Sequence, residues 1–396
     1  MHLNILALSS TLWPHGSGGE LATYLYATSL RMKGFETTVI VRDRSVLFKP
    51  YDFEVLYLPC IGFGKYSLYI GRNLLEKLIK WADVVYFAST LWNLIPLAKR
   101  IGKPVVAHIH SYDPVCPVGS LYNFVTASTC SPRDRICSRC TWLYERSHGR
   151  GFTRSVGSTI LNSSIGRYFT KLLDYADALI FVSYAQRDLF MKHLKAVSDS
   201  PIPKSYVIYN PIPDTKYSKP IEVNAGYFGG FSPLKGYHIL LRAWARVFRK
   251  HRNRMLFMTK MGKLAGSCIL RRMNAYAYER LELSELEKLW SRIGVVVFPS
   301  IWQEPLPYVV IETLLHGRPL IASRVGGVPE IVGDAPGVKL VPPNNVDALA
   351  DALDWALSMD KQDAMELGLR NRGHALKRFG DERSVRKLIE VFKRVV

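Results

Sequence analysis

Apolar and polar positions fall into alternating short and long blocks along the chain. The run Leu3 to Leu8 reads as a short buried strand. It is followed by the turn His15-Gly16-Ser17-Gly18-Gly19 and then by an apolar-periodic helix from Glu20 to Met32. Strand, glycine turn and helix in that order open a βαβ unit. The β-rich runs Thr37 to Val41, Val55 to Leu58, Val84 to Phe87 and Val105 to His108 come next, separated by helical stretches such as Leu74 to Trp81. Such alternation predicts a parallel, doubly wound sheet.

A basic, cysteine-bearing insertion occupies about 111–152, after which Ile160 to Tyr175, Ala178 to Val182 and Tyr206 to Ile208 resume the α/β order. Prolines at 211, 213 and 220 stiffen the stretch from Asn210 to Ile221 as a connector. A second series then runs through Ala225 to Phe228, a helix after Lys235, Met255 to Thr259, a helix over Ser284 to Trp290, and Val295 to Phe298. It ends with a helix around Ile311 and the strands Leu320 to Ala322 and Val338 to Leu340. The expected architecture is two Rossmann-like doubly wound α/β domains, 1–215 and 216–377, with a C-terminal helix in 378–396 returning to the first. A ligand is expected in the cleft between the carboxyl ends of the two sheets.

Composition narrows the partners. The chain carries 53 Lys and Arg against 33 Asp and Glu, a formal charge of +20 that favours phosphates, anionic membranes or polyanions. Nucleic acid has only the charge in its favour and no recognition motif, so it is set aside. Arg242, Arg246, Arg249, Lys250, Arg252 and Arg254 lie at helical spacing with Leu241, Trp244 and Phe248. They form either a solvated helix face or a basic amphipathic helix for an anionic membrane surface. There is no long uncharged apolar span and no signal-peptide pattern, so the expected location is cytoplasmic, with peripheral contact at the inner face of the plasma membrane.

The densest chemistry lies in Pro299-Ser300-Ile301-Trp302-Gln303-Glu304-Pro305-Leu306-Pro307-Tyr308-Val309-Val310-Ile311-Glu312. Two carboxylates stand eight positions apart across a strand-to-helix turn. With a helix beginning near Pro307, Glu304 precedes its N-terminus and Glu312 lies just over a turn inside, so both can face one site. Carboxylates accept several hydrogen bonds from sugar and ribose hydroxyls, and the helix N-H groups between them suit a diphosphate.

This segment resembles the Glu-x7-Glu signature of family 4 glycosyltransferases, whose two-domain GT-B fold and retention of anomeric configuration become expectations here. Leu320-Ile321-Ala322-Ser323-Arg324-Val325-Gly326-Gly327-Val328-Pro329-Glu330 is similar to the family's strand and Gly-Gly-x-Pro-Glu turn, and Gly337 to Pro343 to its following strand end. Gly229-Gly230-Phe231-Ser232-Pro233-Leu234-Lys235-Gly236 resembles its phosphate-binding turn. Lys235 matches there, while Gly230 occupies the position of an Arg, so one cationic contact to the diphosphate must come from elsewhere. Pro307 falls where the family commonly has Gly, and Leu256 to Gly262 replaces an apolar strand and Gly-Asp-Gly turn. In the first domain Gly16, Gly18 and Gly19 match the family's glycine-rich loop, and His110 its strand-end His, with Ser111 in place of an Asp.

The resemblance implies a metal-independent hexosyltransferase that takes a UDP-, GDP- or ADP-sugar and a glycan or lipid-linked acceptor. Glu304, Lys235 and His110 are the candidate catalytic residues, and Gly16, Gly18, Gly19, Gly230, Lys235, Glu304 and Glu312 the donor-binding set. No cofactor is needed for that chemistry, and the absence of an Asp-x-Asp motif agrees. A GT-B sugar-nucleotide epimerase and a catalytically silent sugar-nucleotide or membrane-binding protein are the alternatives. Cys116, Cys130, Cys137 and Cys140 either hold a structural Zn or are small buried hydrophobes.

Overall fold

The computed structural model describes residues 2–48, 50–61, 68–69, 71–88, 91–134, 136–198, 200–380 and 382–396. The chain divides into two compact units, Met1–Ile212 with Glu382–Val396, and Pro213–Asp381.

In the first unit the strands β1 (Asn4–Leu8), β2 (Glu36–Val41), β3 (Glu54–Tyr57), β4 (Val84–Phe87), β5 (Val105–Ile109), β6 (Ala178–Phe181) and β7 (Lys204–Val207) form one sheet. Its order is β7-β6-β5-β4-β1-β2-β3, and every pairing is parallel. β4 and β6 are buried at every position, as expected of strands covered on both faces. The chain reverses direction of winding after β3, so β1 and β4 lie side by side at the topological switch point.

The helix after β1 spans Gly18–Met32, two residues longer than its apolar period suggests. Glu20 explains the extension, because its carboxylate accepts the Ser17 N-H at 2.8 Å and the Ser17 hydroxyl at 2.7 Å. That contact reciprocates half of a capping box and anchors the first turn. The insertion contains a two-residue hairpin ladder, Tyr122–Asn123 with Ser128–Thr129, and a helix Cys137–Ser147 that packs on the long helix Phe152–Leu172. The apolar pattern of the insertion shows neither element in advance.

The second unit holds β8 (Ala225–Tyr227), β9 (Leu256–Met258), β10 (Ala275–Ala277), β11 (Val295–Phe298), β12 (Leu320–Ser323) and β13 (Val338–Val341). Their order is β10-β9-β8-β11-β12-β13, again all parallel. β10 is the strand missing from the sequence reading, since three residues between Asn274 and Tyr278 make too short a run to stand out.

The basic amphipathic stretch finds protein partners. In the helix Tyr237–Val247, Trp244 is fully buried, and Leu241 and Phe248 pack against the same core. Arg246 pairs with Asp347, while Lys250 and His251 both reach Asp354 at 2.7 Å, so the neighbouring helix Val346–Leu357 takes up part of the charge. The side chains that would enter a lipid surface are thus turned inward. Among the described residues no helix is long and apolar enough to cross a membrane.

Arg318 is the second unit's most connected interior side chain. Completely buried, it donates to the carbonyls of Ile293, His316, Gly317, Ser218 and Trp290, at 2.6 to 3.2 Å. Burial pulls its pKa down to about 10, which still leaves it charged at neutral pH. Arg318→Met should lower the urea unfolding free energy of the chain by at least about 3 kcal/mol, because several buried carbonyls would lose their donor together. A smaller loss than about 1 kcal/mol would show that water or rearrangement replaces the guanidinium.

Candidate functional site

The site in the second unit grows from two turns at the carboxyl ends of its strands. After β8 the chain makes a short 3-10 turn, Pro233–Lys235, and Gly236 then takes a left-handed φ of 71° to start the next helix. A Cβ on Gly236 would sit 1.9 Å from the Pro299 carbonyl oxygen, so only glycine allows the turn to lie against the exit of β11. Tyr227 clamps the same turn, its hydroxyl donating to the Gly230 carbonyl at 2.8 Å. Across the gap, Ile301 N-H donates to the Leu234 carbonyl at 2.9 Å, and Ser300 Oγ lies 3.1 Å from the same oxygen.

These ties bring Lys235 and Glu304 together. Lys235 Nζ stands 2.8 Å from Glu304 Oε1 and 3.0 Å from Oε2. Glu304 is 3% exposed, and its Oε1 also accepts Ser300 Oγ at 2.6 Å and Trp302 Nε1 at 2.7 Å. An adjacent cation and two neutral donors thus hold the carboxylate in place. The Lys235 ammonium lies 5.4 Å from the centre of the Trp302 ring and is partly open to solvent.

The backbone behind Glu304 is seated on the Gly326-Gly327 turn. Gly327 N-H donates to the Glu304 carbonyl at 2.8 Å, and Gln303 Oε1 accepts the Gly326 N-H at 2.7 Å. A side chain on Gly326 would run into the Glu304 carbonyl oxygen at 2.0 Å. Pro307 caps the helix Tyr308–Leu315 from outside, with φ −73° and ψ 118°, so its missing N-H is not taken from the helix itself. Glu312 lies one turn into that helix. Burial raises its pKa, and the opposing influence is Lys260.

Lys260 escaped the sequence reading except as a departure from a turn. It follows β9 with a left-handed φ of 58°, and its backbone carbonyl accepts the Phe231 N-H at 2.9 Å, beside Gly230. The visible signal was its place at the carboxyl end of a strand. Ser300 and Trp302 also went unassigned, although both sit inside the quoted Glu304 segment.

In the first unit Gly19 packs against His110. Gly16 has φ 87° and faces the Glu20 and Thr11 side chains, while a Cβ on Gly19 would lie 3.1 Å from His110 Cβ. Gly18 and Gly19 belong to the first helical turn, so the expected glycine loop is shorter than the sequence suggests and only Gly16 needs the left-handed region. His110 follows β5 directly and packs on His108 with ring centres 4.3 Å apart. Its Nε2 is buried without a hydrogen-bond partner, and burial holds its pKa at about 4 against a small opposing effect of Glu20. His110 is a neutral imidazole at physiological pH.

Cys116, Cys130, Cys137 and Cys140 all line one cavity of about 690 Å³, together with Asp134 and His193. Among the described residues, however, no three His, Cys, Asp or Glu side chains are grouped closely enough to hold a metal ion. Cys130 and Cys140 instead donate to the carbonyls of Ser131 and Tyr122, each at 3.6 Å. Burial pushes their thiols up to about 12 and about 11.

Comparison with known proteins follows the same division. The family profile described as Glycosyltransferase Family 4 matches residues 16–216, and that described as Glycosyl transferases group 1 matches 222–359. The chain is 28% identical over 181 residues to a D-inositol 3-phosphate glycosyltransferase of Corynebacterium urealyticum, covering 42% of each protein. It thus spans less than half the length of this relative and of other curated relatives such as the spore coat protein SA of Bacillus subtilis. It is 23% identical over 360 residues to an uncharacterized 42.6 kDa protein in the cps region of Klebsiella pneumoniae, covering 85% of this chain and 89% of that one. In structure it is similar to the Anabaena Alr3699/HepE protein in complex with UDP-glucose, with a TM-score of 0.69, 17% identity and full coverage of both chains. That likeness shows the GT-B fold.

The lowered histidines make a stability prediction. His110 and His316 are both held at about 4 by burial, with Arg318 and Arg372 adding to the effect at His316. The unfolded chain protonates these rings near pH 6.5 and the folded chain only near pH 4, so stability is complete above about pH 6.5 and falls as pH drops toward 4. Urea midpoints measured between pH 7 and 4 should decline, and His110→Gln should flatten part of that decline. An unchanged slope in the variant would contradict the burial of His110.

Proposed function

The chain belongs to glycosyltransferase family 4, and from that premise we propose that it is a retaining glycosyltransferase moving a hexose-type sugar from a nucleoside-diphosphate sugar to a glycan or lipid-linked acceptor. The observation carrying this reading is the Lys235–Glu304 pair held at the carboxyl ends of β8 and β11. Lys235 Nζ offers a fixed cation to a departing diphosphate, and Glu304 Oε2, which carries fewer protein hydrogen bonds than Oε1, keeps acceptor capacity for a sugar hydroxyl. Glu312 is assigned to the ribose hydroxyls of the donor.

In the reaction, the acceptor hydroxyl oxygen bonds to the anomeric carbon on the face from which the diphosphate leaves. The bond from that carbon to the diphosphate oxygen breaks, and the hydroxyl proton passes to the departing phosphate. Lys235 and the N-H groups at the start of the Tyr237–Val247 helix carry the charge that builds on the leaving group, the task a metal ion performs elsewhere. His110, a neutral imidazole, is the first unit's candidate for hydrogen bonding to the sugar. Support for a sugar-nucleotide donor comes from the UDP-glucose complex of the Anabaena protein and from the D-inositol 3-phosphate glycosyltransferase relative. The acceptor role in cell-surface polysaccharide or glycoconjugate synthesis rests on the basic character of the chain.

The test is release of nucleoside diphosphate from a panel of UDP-, GDP- and ADP-sugars with lipid-linked and glycan acceptors. Lys235→Ala and Glu304→Gln should each lower kcat/KM by about 100-fold or more. Full activity in both variants would remove the pair from the mechanism. An epimerised sugar nucleotide formed without acceptor would move the chain to the isomerase reading.

A further inference from the structure

A diphosphate presents two charged groups, yet Lys235 already shares its ammonium with both oxygens of Glu304. At the position before it where an arginine was expected, Gly230 has no side chain and a φ of 76°. A Cβ built there would touch the Cβ and carbonyl oxygen of Lys260, each at 3.4 Å. The charge missing from one loop therefore stands on the next.

Lys260 is held in place by its backbone. Besides the bond from Phe231 N-H to its carbonyl, its own N-H donates to the Glu279 carbonyl at 3.2 Å, and Met261 N-H donates to the Tyr278 carbonyl at 2.9 Å. A non-glycine residue in the left-handed region is uncommon, so the conformation is imposed by these neighbours. It follows β9, beside the turn after β8, at the edge of the sheet where ligands of doubly wound folds bind.

Its electrical surroundings are cationic. Partial desolvation lowers the Lys260 ammonium first, the like charge of Arg280 lowers it further, Glu312 raises it, and Lys235 lowers it. Three cations thus share this corner with two carboxylates, Glu304 and Glu312. The group remains exposed, available to an incoming anion.

We propose that Lys260 is the second cationic contact to the diphosphate of the donor, replacing across the loop what Gly230 cannot supply. This rests on the sugar-nucleotide reading above. Lys235 and Lys260 then both meet the terminal phosphate, which leaves with the broken bond and which a nucleoside monophosphate lacks. Charge on the second phosphate is what Lys260 recognises, so its removal should discriminate between nucleoside diphosphates and monophosphates.

Equilibrium binding to the full chain by calorimetry provides the measurement, with UDP, GDP, ADP and their monophosphates as probes. Lys260→Asn removes the charge while keeping a residue that tolerates the left-handed region, and Lys260→Arg keeps the charge. For the diphosphate the wild type binds, Lys260→Asn should raise Kd about ten-fold or more, with less than about three-fold change for the monophosphate, and Lys260→Arg should stay near wild type. Unchanged diphosphate affinity in Lys260→Asn, or an equal loss for both nucleotides, would overturn the assignment while leaving the donor reading intact. A wild-type chain that binds none of these diphosphates would overturn the donor reading and this assignment with it.

Discussion

One buried guanidinium separates the part of the second unit that supplies stability from the part that supplies chemistry. Arg318 gathers carbonyls from the approach to β11, the end of the helix before it, the turn before β12 and the entering chain at Ser218. All of these lie at the amino ends of the strands. With that end closed, β11 and β12 leave the sheet in fixed directions, and the loops beyond them, carrying Glu304 and Gly326, can be met by the turn that carries Lys235. A buried charge is tolerable there because its partners are five carbonyls and the Ser218 hydroxyl, and none requires a second ion to be desolvated.

At the opposite end the logic is reversed. Glu304 is nearly inaccessible and surrounded by donors, which fixes its oxygens before any ligand arrives. Lys260 is opposed by the like charges of Arg280 and Lys235 and supported by Glu312. Such a corner attracts an anion.

Much of this was legible beforehand. The parallel order of both sheets follows from apolar runs alternating with helical periods, and the Glu304 segment carries a carboxylate, an indole and a hydroxyl within five residues. Other parts were hidden for physical reasons. Strand β10 is too short to have a period. The Ser17–Glu20 contact, which lengthens the first helix by two residues, depends on a side chain reaching back to a backbone N-H. Lys260 is distant in sequence from Gly230, and only the pairing of β8 with β9 makes them neighbours. The Trp244 helix reads as a solvated face or a membrane surface until Asp347 and Asp354 are seen opposite its arginine and lysine.

The close approaches at Gly236 and Gly326 bear on how such a site can diverge. In both places backbone lies directly on backbone, 1.9 and 2.0 Å being the distances at which any Cβ would collide. The relative positions of the Lys235 and Glu304 loops are thus set by main chain and not by the side chains around them. A lineage can exchange an arginine for a glycine in one loop and recruit a lysine in another while the frame stays the same. Substrate preference can drift through exposed residues such as Lys260, whereas a single methyl group at either glycine would displace the whole assembly.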